Sequence, residues 1–586
     1  MKKWIKPVSL VLALCVFLLA MPMVLAAPAV PATQWKDYAA ADFAGGTGTQ
    51  EDPYLIETAE QFAKIAADVS NRIYHNGDFF RLENNLDLSA HRWNPIGQRN
   101  WLSDGSTVSN YFGGFLDGNN KTITGLIVDE REDKYAAGLF GAVSNPSKTR
   151  TVGVKDLTIS NADIRATDAG QKNSYAGILM AFAMANDGCT IEVTNVNVSG
   201  KISYDYTNTA DGAPAGGMFG YATRLTVKNC NVTSIEITGT NNCGGFVGMD
   251  CGSAYENCTV KGSLNGMWAM GGFVGYASTA DSGKGKEGGS VFSRCFADVN
   301  ITANDWNAGG FAGLAEYARI ESCVAAGNTE STVSEWEPRV GGFVGNVFES
   351  DVNNSHFTGS VSSASVDWEA GAFLGYYASG SLTDCSYDKA KTDGLKNIGA
   401  FKNDAPEFAG SIDSEETNAV NRNICEDYYQ GHDFGTELIT DSDATCTVPG
   451  KKSHHCVRCD ESDGQYVEFG GEGHVWEDHY TVDQAASCTE PGSESIHCAN
   501  CDAVKDAREI PATGHDYQWV IDKEASKTEA GSKHEECTVC HDRKAPVEIP
   551  KETADNNTVA AALAVAALFA LVTVFAAGKK RTARIR

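Results

Sequence analysis

The sequence lacks the short motifs by which common classes of enzyme are recognised. It has no Gly-x-Ser-x-Gly string and no Gly-x-x-x-x-Gly-Lys loop, which argues against a serine hydrolase of the nucleophile-elbow type and against a phosphate-binding loop. The nearest string to the zinc-protease pattern His-Glu-x-x-His is His534-Glu535-Glu536-Cys537-Thr538, which lacks the second histidine. We therefore assign no catalytic residue.

Basic residues and, in the central region, proline are also scarce. The chain has 47 Lys and Arg against 76 Asp and Glu, a formal net charge of −29. Such a chain repels phosphate backbones, so we expect no nucleic-acid partner. A polyanionic ligand such as pectin or a glycosaminoglycan is disfavoured unless a cation bridges it. Between residues 130 and 400 proline is rare and no amphipathic helical window stands out, which indicates short strands and tight turns.

A glycine motif recurs instead along the first two thirds of the chain. Recurrence at intervals of about 30 residues is typical of stacked repeats. We expect the large apolar residue of each copy to point inward and to stack on its counterpart one coil away. The glycines would mark close backbone approach or positive φ. The copies are Gly138–Gly141, Ala176–Met180, Gly216–Gly220, Gly244–Gly248, Gly271–Gly275, Gly309–Gly313, Gly341–Gly345 and Gly371–Gly375.

A set of cysteines follows the same repeat. Each stands directly after a polar residue, and equivalent positions of stacked coils lie above one another. We expect a buried line of small apolar side chains; disulfides or a metal site are the alternatives, with Cys243 and Cys251 the more favourable disulfide pair. The repeated cysteines are Cys230, Cys258, Cys295, Cys323 and Cys385.

The glycine motif resembles the GLUG repeat of bacterial surface proteins, mainly of Gram-positive species. The stretches Gly45–Ile56, Leu86–Leu88 and Phe115–Leu126 resemble the opening of such ectodomains. The resemblance covers roughly residues 43–410 and implies an all-β fold, a right-handed parallel β-helix. We place an N-terminal cap and first coils at 33–130 and the repeats at 131–410. Fold alone does not fix activity.

Both ends of the chain carry targeting patterns. Residues 1–29 combine lysines, an apolar run and small residues, which predicts a secretory signal peptide; an uncleaved anchor is the alternative. Residues 558–578 are long and apolar enough to predict one transmembrane helix, and the basic tail 579–586 places the rest of the chain outside. The segment 549–557 resembles a Leu-Pro-x-Thr-Gly sorting signal imperfectly. We therefore expect cell-surface membrane anchoring, with sortase-mediated attachment to the cell wall as a further hypothesis.

A second repeat follows a predicted linker at 411–440. Residues 441–548 contain Cys-x-x-Cys pairs. Each of the first two pairs is preceded by a cysteine ten residues earlier, and a Gly-His dipeptide lies between successive copies. Three thiolates and one imidazole suit structural zinc; disulfides or free thiols are the alternatives. The third copy lacks the first cysteine, so we expect it to bind metal weakly or not at all. The candidate ligands are Cys446, Cys456, Cys459, His474, Cys488, Cys498, Cys501 and His515.

Four tryptophans stand three to five residues before a glycine motif. They are Trp268, Trp306, Trp336 and Trp368. Buried stacking is one explanation; if exposed, their faces suit sugar rings or a protein partner. We expect a non-catalytic, adhesin-like protein that presents this edge to a host, a neighbouring cell or a glycan. A carbohydrate-active enzyme on the same scaffold, with scattered carboxylates as its acids, and a structural spacer are the alternatives.

Overall fold

The computed structural model describes residues 30–551, apart from residues 103–106, 134, 170, 208–211, 282, 335–336, 366–369, 393, 403–410, 413–419, 421, 423–425, 427–431 and 457–458. The chain divides into two compact units. The first runs to Asp433 and includes 457–461; the second comprises Phe434–Cys456 and the chain from Ser462 onward. The predicted signal peptide, transmembrane helix and basic tail lie outside the described residues, as does most of the sorting-like segment. Within the described ranges, no helix is long and apolar enough to cross a membrane.

The first unit is mostly β and contains one large sheet of 35 strands whose neighbours run parallel. Each strand of the repeats pairs with its equivalents in the preceding and following copies. Val247, for example, pairs with Phe219 on one side and with Val274 on the other. Parallel pairing between successive copies is compatible with a β-helix or solenoid, in which each coil covers the apolar face of the next.

The strands of this sheet fall into rows of equivalent elements. The N-terminal strands are Tyr54–Ile56, Phe79–Leu82, Leu86–Asp87, Phe115–Thr124 and Ile127–Asp129. The row that follows the glycine motifs, the motif row, is Phe140–Asn145, Met180–Ala185, Phe219–Thr223, Val247–Cys251, Val274–Ser278, Ala312–Glu316, Val344–Phe348, Gly371–Tyr377 and Lys396–Phe401.

The remaining strands of the sheet complete each coil. The second row is Gly153–Thr167, Ile191–Asp205, Leu225–Lys228, Ala254–Glu256, Val291–Ser293, Arg319–Glu321, Ser350–Asn353 and Gly380–Thr383. The third is Asn231–Gly244, Thr259–Gly271, Phe296–Ala303, Val324–Ala325, Thr329–Ser331, His356–Phe357, Val361–Ser363, Ser386–Asp388 and Ser411–Ile412. The short strands that lead into the motifs are Ala176–Gly177, Ala215–Gly216, Asn307–Gly309 and Arg339–Gly341.

The predicted inward stack is confirmed. The phenylalanines of five successive motifs are fully buried, and their rings stack almost in parallel. The centroids are 4.6 Å apart for Phe246 and Phe273, and 5.1 Å apart for Phe273 and Phe311. The stack continues to Phe343 at 5.2 Å and to Phe373 at 4.9 Å. Stacked burial of this kind supplies most of the driving force for folding of such a unit.

The second glycine of the motif lies where the backbones of adjacent coils approach closely. A Cβ atom added at Gly245 would fall on the carbonyl oxygen of Gly272, and one added at Gly272 would fall on that of Gly310. Neither glycine has a positive φ. Of the two predicted reasons for glycine, close approach is therefore the one that applies at these positions.

The repeated cysteines are buried, as predicted, and are free thiols. The polar residue before each cysteine forms a corner with φ between 50° and 54°, the left-handed region that asparagine tolerates. The corner side chains also bond along the stack: the Asn257 amide donates to Asn229 Oδ1 at 3.3 Å, and Arg294 Nε donates to Asn257 Oδ1 at 2.8 Å. Cys243 and Cys251, the proposed disulfide pair, are both buried free thiols.

The N-terminal end of the unit carries the α-helix Ala59–Ser70. Thr58 and Gln61 form a capping box at its start, and Phe62 stacks on Trp93 with centroids 5.0 Å apart. Short 3₁₀ turns occur at Trp35–Tyr38 and Gly285–Gly288. A separate antiparallel sheet joins Gln98–Leu102, Thr107–Asn110 and Gln171–Asn173.

The second unit consists of three small antiparallel sheets, one for each Cys/His copy. Its first strand begins at Phe434, inside the predicted linker, because the strand precedes the cysteines by which the repeat was recognised. The buried apolar residues described in this unit are all cysteines. The strands are Phe434–Ser442, Gly450–Cys456 and Val467–Phe469; Thr481–Gln484, Gly492–His497 and Val504–Ile510; and Tyr517–Lys523, Gly531–Cys537 and Val547–Ile549.

Candidate functional site

Two groups of three cysteines and one histidine come together in the second unit. The first group is Cys446, His474, Cys498 and Cys501, and the second is Cys488, His515, Cys537 and Cys540. In each group the sulfur and imidazole nitrogen atoms all lie within 4.8 Å of one another. Each group could hold a metal ion.

The distances within these groups fit a tetrahedral thiolate site better than a disulfide. Cys446 Sγ lies 3.6 Å from Cys498 Sγ, and Cys488 Sγ lies 3.8 Å from Cys537 Sγ. A tetrahedron with zinc–sulfur arms of about 2.3 Å has edges of about 3.8 Å, whereas bonded sulfurs are about 2.0 Å apart. The histidine is equally close, with His474 Nδ1 at 3.3 Å from Cys501 Sγ and His515 Nδ1 at 3.2 Å from Cys540 Sγ.

One thiol of each group is prepared for the thiolate form that binds metal. The backbone N–H of Asn500 lowers the pKa of Cys498 to about 6. The backbone N–H groups of Cys540 and Val539 lower the pKa of Cys537 to about 5. Hydrogen bonds to the charged form favour that form. Both thiols come from Cys-x-x-Cys pairs, whose tight turn directs the N–H groups at the first sulfur.

The grouping differs from the predicted one because the cysteines of one copy combine with those of the next. Cys446 joins the Cys-x-x-Cys pair of the second copy, and Cys488 joins that of the third. The spacing of ten residues had suggested sets within a copy, such as Cys488 with Cys498 and Cys501. The third copy was expected to bind metal weakly because it lacks a first cysteine of its own, and Cys488 of the second copy lies in that place.

The remaining predicted ligands belong to the first copy. Cys456 ends a strand and is buried, and Cys459 is buried with its Sγ 3.3 Å from His432 Nδ1. The histidines that directly precede the Cys-x-x-Cys pairs form other contacts. His455 Nε2 lies 3.0 Å from Asp441 Oδ1, and His497 Nε2 lies 2.6 Å from Asp483 Oδ1.

In the first unit, the structure describes two of the four predicted tryptophans, and both are exposed. Trp268 is 36% exposed and Trp306 is 47% exposed. The residues after them, Ala269 and Asn307, pair in register, so the two indoles occupy equivalent places in adjacent coils. Trp336 and Trp368 lie outside the described residues. The buried-stacking explanation is therefore wrong for Trp268 and Trp306.

Beside Trp268 runs a row of outward side chains that sequence reasoning missed. It occupies one position of the motif row, and its members pair directly from coil to coil. Phe182 and Tyr221 stack with centroids 5.2 Å apart and planes within 7°, and Trp268 contacts Tyr276 edge-on at 6.0 Å. The row is Phe182, Tyr221, Met249, Tyr276, Leu314, Asn346 and Tyr376.

The first four of these side chains, from Phe182 to Tyr276, line a groove of about 420 Å³, here called the aromatic groove. Arg99 and Asn173 from the separate antiparallel sheet line it as well. The guanidinium of Arg99 lies 4.9 Å above the Phe182 ring. The signal that could have found the groove is the aromatic residue three places after the motif phenylalanine position in several copies. The groove is lined by Arg99, Asn173, Tyr175, Phe182, Met184, Gly212, Pro214, Tyr221, Asn242, Met249, Trp268 and Tyr276.

The aromatic row is continued by a second cluster around Trp306. The Arg339 guanidinium lies 5.8 Å from the Trp306 ring centroid and 4.4 Å from that of Tyr376. The backbone N–H of Arg339 also donates to the Trp306 carbonyl at 2.6 Å. The contacts hold the Trp306 segment against the coil that follows it.

Comparisons with known proteins find short local similarities. No family model matches. A candidate Gly-rich membrane protein of Evansella cellulosilytica is 33% identical over 116 residues, 19% of this chain and 12% of that protein. Halomucin of Haloquadratum walsbyi is 30% identical over 168 residues, 27% of this chain and 2% of its own length. The chain thus matches a small part of either relative.

Among solved structures, a candidate immunoglobulin A1 protease from Bacteroides ovatus is similar at a TM-score of 0.33 and 16% identity. The alignment covers 67% of this chain and 93% of that one.

Proposed function

We propose that the protein is an exported, surface-anchored adhesin whose first unit is a right-handed parallel β-helix of GLUG type, as in Gram-positive surface proteins. The observation that carries the proposal is the exposure of Trp268 and Trp306 at equivalent places in adjacent coils, beside the aromatic groove. Burying indole surface is favourable, so exposed tryptophans next to a groove suit a ligand. The ligand would be a glycan, a host molecule or another cell surface.

The same proposal gives the second unit a structural role near the membrane. Its two four-residue groups would hold zinc, with Cys446, Cys498, Cys501 and His474 in one site and Cys488, Cys537, Cys540 and His515 in the other. Zinc closed by four protein ligands contributes folding energy and leaves no open position for chemistry. The predicted signal peptide, transmembrane helix and sorting-like segment would deliver the chain to the surface and hold it there, in the membrane or the cell wall.

Adhesion is tested by displaying the full-length chain on a non-adherent Gram-positive host. Adherence to host cells, bacteria and glycan-coated surfaces is scored against the empty host. We expect a gain of adherence that is lost in the double variant Trp268→Asn with Trp306→Asn and kept in Trp519→Asn. Trp519 is a matched control, because it is 50% exposed and lies in the second unit. Surface delivery is checked by antibody, so that lost export is not scored as lost adhesion.

Release of reducing or unsaturated sugars from a polysaccharide by the purified chain would contradict the non-catalytic proposal. Such a result would favour the alternative of a carbohydrate-active enzyme on the same scaffold. Equal adherence of the displaying host and the empty host would instead favour the structural spacer.

A further inference from the structure

We infer that the aromatic groove binds a neutral polysaccharide chain laid across successive coils. The inference rests on the proposed adhesin function and names the chemical class of its ligand. Three independent observations carry it: an unsatisfied amide in the groove, a strained tryptophan at its rim and a repeating aromatic surface.

The first observation is Asn242, which lines the groove. Its side chain is 5% exposed, and its Oδ1 accepts no hydrogen bond from any residue that the structure describes. A buried carbonyl oxygen without a donor is costly. A ligand in the groove would satisfy it by donating a hydroxyl hydrogen, which sugars offer in abundance.

Two further buried amides lie in later coils. Asn307, which follows Trp306 two coils beyond Asn242, is 3% exposed, and Asn346 of the outward row is 8% exposed. Across the described part of the chain, neither Oδ1 atom meets a donor. Acceptors that recur in several coils suit a ligand that repeats its donors, as a polymer of sugars does.

The second observation is the backbone of Trp268. Its φ is 65°, a left-handed conformation that costs free energy for a bulky residue. Asn242, near the equivalent place in the preceding coil, has a φ of 50° and a side chain that tolerates it better. The Trp268 side chain is 36% exposed and lines the groove, and the strain of its backbone is explained by a use for that ring.

The third observation is the repeating aromatic surface. Neighbouring strands of a sheet lie about 4.8 Å apart. Each coil therefore adds one side chain to the outward row, at about that spacing. Phe182 and Tyr221 stack face to face at one end. Tyr276 is held by a hydrogen bond from its hydroxyl to Glu316. Aromatic rings held in place pack against the C–H surfaces of sugar rings without much loss of side-chain entropy.

Charge selects a neutral sugar over an acidic one. The formal net charge of −29 disfavours a polyanion. The two arginines near the row lie over aromatic rings, Arg99 over Phe182 and Arg339 over Tyr376. The carbonyl oxygen of Asn242 in the groove is an acceptor, which pairs with a hydroxyl and repels carboxylates and sulfates.

The test is affinity electrophoresis of the purified full-length chain in gels that contain one polysaccharide each. The neutral probes are a mixed-linkage β-glucan, a mannan and an arabinoxylan; the anionic probes are polygalacturonate and heparin. We expect at least one neutral polymer to retard the chain and both anionic polymers to leave its mobility unchanged. A displacement curve with the matching oligosaccharide gives the dissociation constant.

Variants that keep the backbone conformation locate the site. Trp268→Asn and Asn242→Gly replace each residue by one that accepts positive φ, and each should weaken binding about tenfold or more. Asn242→Asp keeps an acceptor and should retain binding better than Asn242→Gly. Trp519→Asn should bind as the parent does. Unchanged thermal unfolding of the first unit shows that the variants fold.

Retardation by anionic polymers alone overturns the inference, as does neutral binding that survives both Trp268→Asn and Asn242→Gly. If no polysaccharide retards the chain while displayed cells still adhere through Trp268 and Trp306, the glycan inference fails and the adhesin proposal stands. If adherence is absent as well, both fail.

Discussion

The two units of this protein achieve order by different means. The first buries a continuous column of apolar side chains, with ring stacked on ring from Phe246 to Phe373. The second has small sheets whose buried apolar residues, in the part described, are cysteines. A stack of coils can rely on the hydrophobic effect, because each repeat covers the next. Small three-stranded sheets bury too little apolar surface to rely on the hydrophobic effect. They need a covalent cross-link or a bound metal ion.

Removal of metal should affect the two units most differently. We expect the purified full-length chain to carry two zinc ions, and chelation to unfold the second unit, since structural zinc binding is worth about 10 kcal/mol or more per site. Hydrogen exchange should rise throughout the sheets between Phe434 and Ile549 and stay slow in the coil stack. Slow exchange of the second unit without metal would contradict the zinc assignment.

Cysteine substitutions provide the matched control for that experiment. Cys537→Ser removes one ligand from the second four-residue group, and the chain should then carry one zinc ion by native mass spectrometry. Cys385→Ser replaces a buried cysteine of the coil stack and should leave the metal content unchanged. Loss of metal in Cys385→Ser would indicate that the first unit binds metal, which would contradict the assignment to the second unit.

The coil stack is broken most severely at the motif glycines. Gly245→Val would place side-chain carbon on the carbonyl of Gly272, and neither backbone can yield without separating two coils. We expect a loss of more than about 4 kcal/mol, at the extreme of single substitutions, seen as loss of the cooperative thermal transition of the first unit. In Gly45→Ala the added Cβ would meet Leu55 Cδ1 at 3.6 Å, an ordinary contact. Stability close to that of Gly45→Ala would show that the coils are not packed through these glycines.

Removing one phenylalanine ring from the column tests whether apolar burial stabilises the first unit, with a smaller expected loss of stability. Phe273→Ala leaves a cavity between Phe246 and Phe311, for which we expect a loss of about 3–5 kcal/mol. Phe401→Ala changes a ring that is 52% exposed and should cost less than about 1 kcal/mol. Denaturant unfolding of the full-length chain, followed by circular dichroism, measures both. Equal effects would refute the column as the source of stability.

The smallest predicted effect is a pH dependence confined to the first unit. Burial raises the pKa of Glu130 to about 8, while the unfolded chain titrates near its ordinary value of 4.5. The unfolded state thus loses its proton first, and stability falls as the pH rises from about 4.5 to about 8. The loss is about 2–4 kcal/mol, given about 1.4 kcal/mol per pKa unit and some relaxation around the group.

Glu130→Gln keeps the shape of the side chain and removes the titration. The variant should unfold with a flatter pH profile than the parent between pH 5 and 8. Parallel profiles for the two proteins would show that Glu130 does not carry the dependence.

The sequence predicted the interior of the first unit better than its outer face. The glycine and phenylalanine positions identified the stacked column, and the cysteines after polar residues identified the buried line. Helix Ala59–Ser70 was not predicted, although Thr58 and Gln61 supply a capping-box signal. The outward row was missed because its members vary from phenylalanine to asparagine, so that the aromatic residues in several copies were not recognised as one row without the strand register.

The metal groups show where spacing ceases to be informative. Cys446 is ten residues from Cys456 and 52 from Cys498, and the folded chain brings it to Cys498 at 3.6 Å. Sequence repeats define copies, but a ligand set can be shared between copies, because the cysteine between the first two strands of one copy lies beside the Cys-x-x-Cys pair of the next. The choice of histidine follows the same logic: His474 and His515 lie at the start of the copy whose Cys-x-x-Cys pair they join.

Hydroxyl-radical footprinting of the full-length chain, free and bound to the surface to which it adheres, shows which unit meets the ligand. We propose that the coil edge meets the ligand and that the Cys/His unit does not. Binding should therefore protect the side chains of Trp268, Trp306 and Tyr276 from oxidation and leave Trp476 and Trp519 unchanged. Protection of Trp476 and Trp519, with Trp268 and Trp306 oxidised as in the free chain, would contradict this proposal.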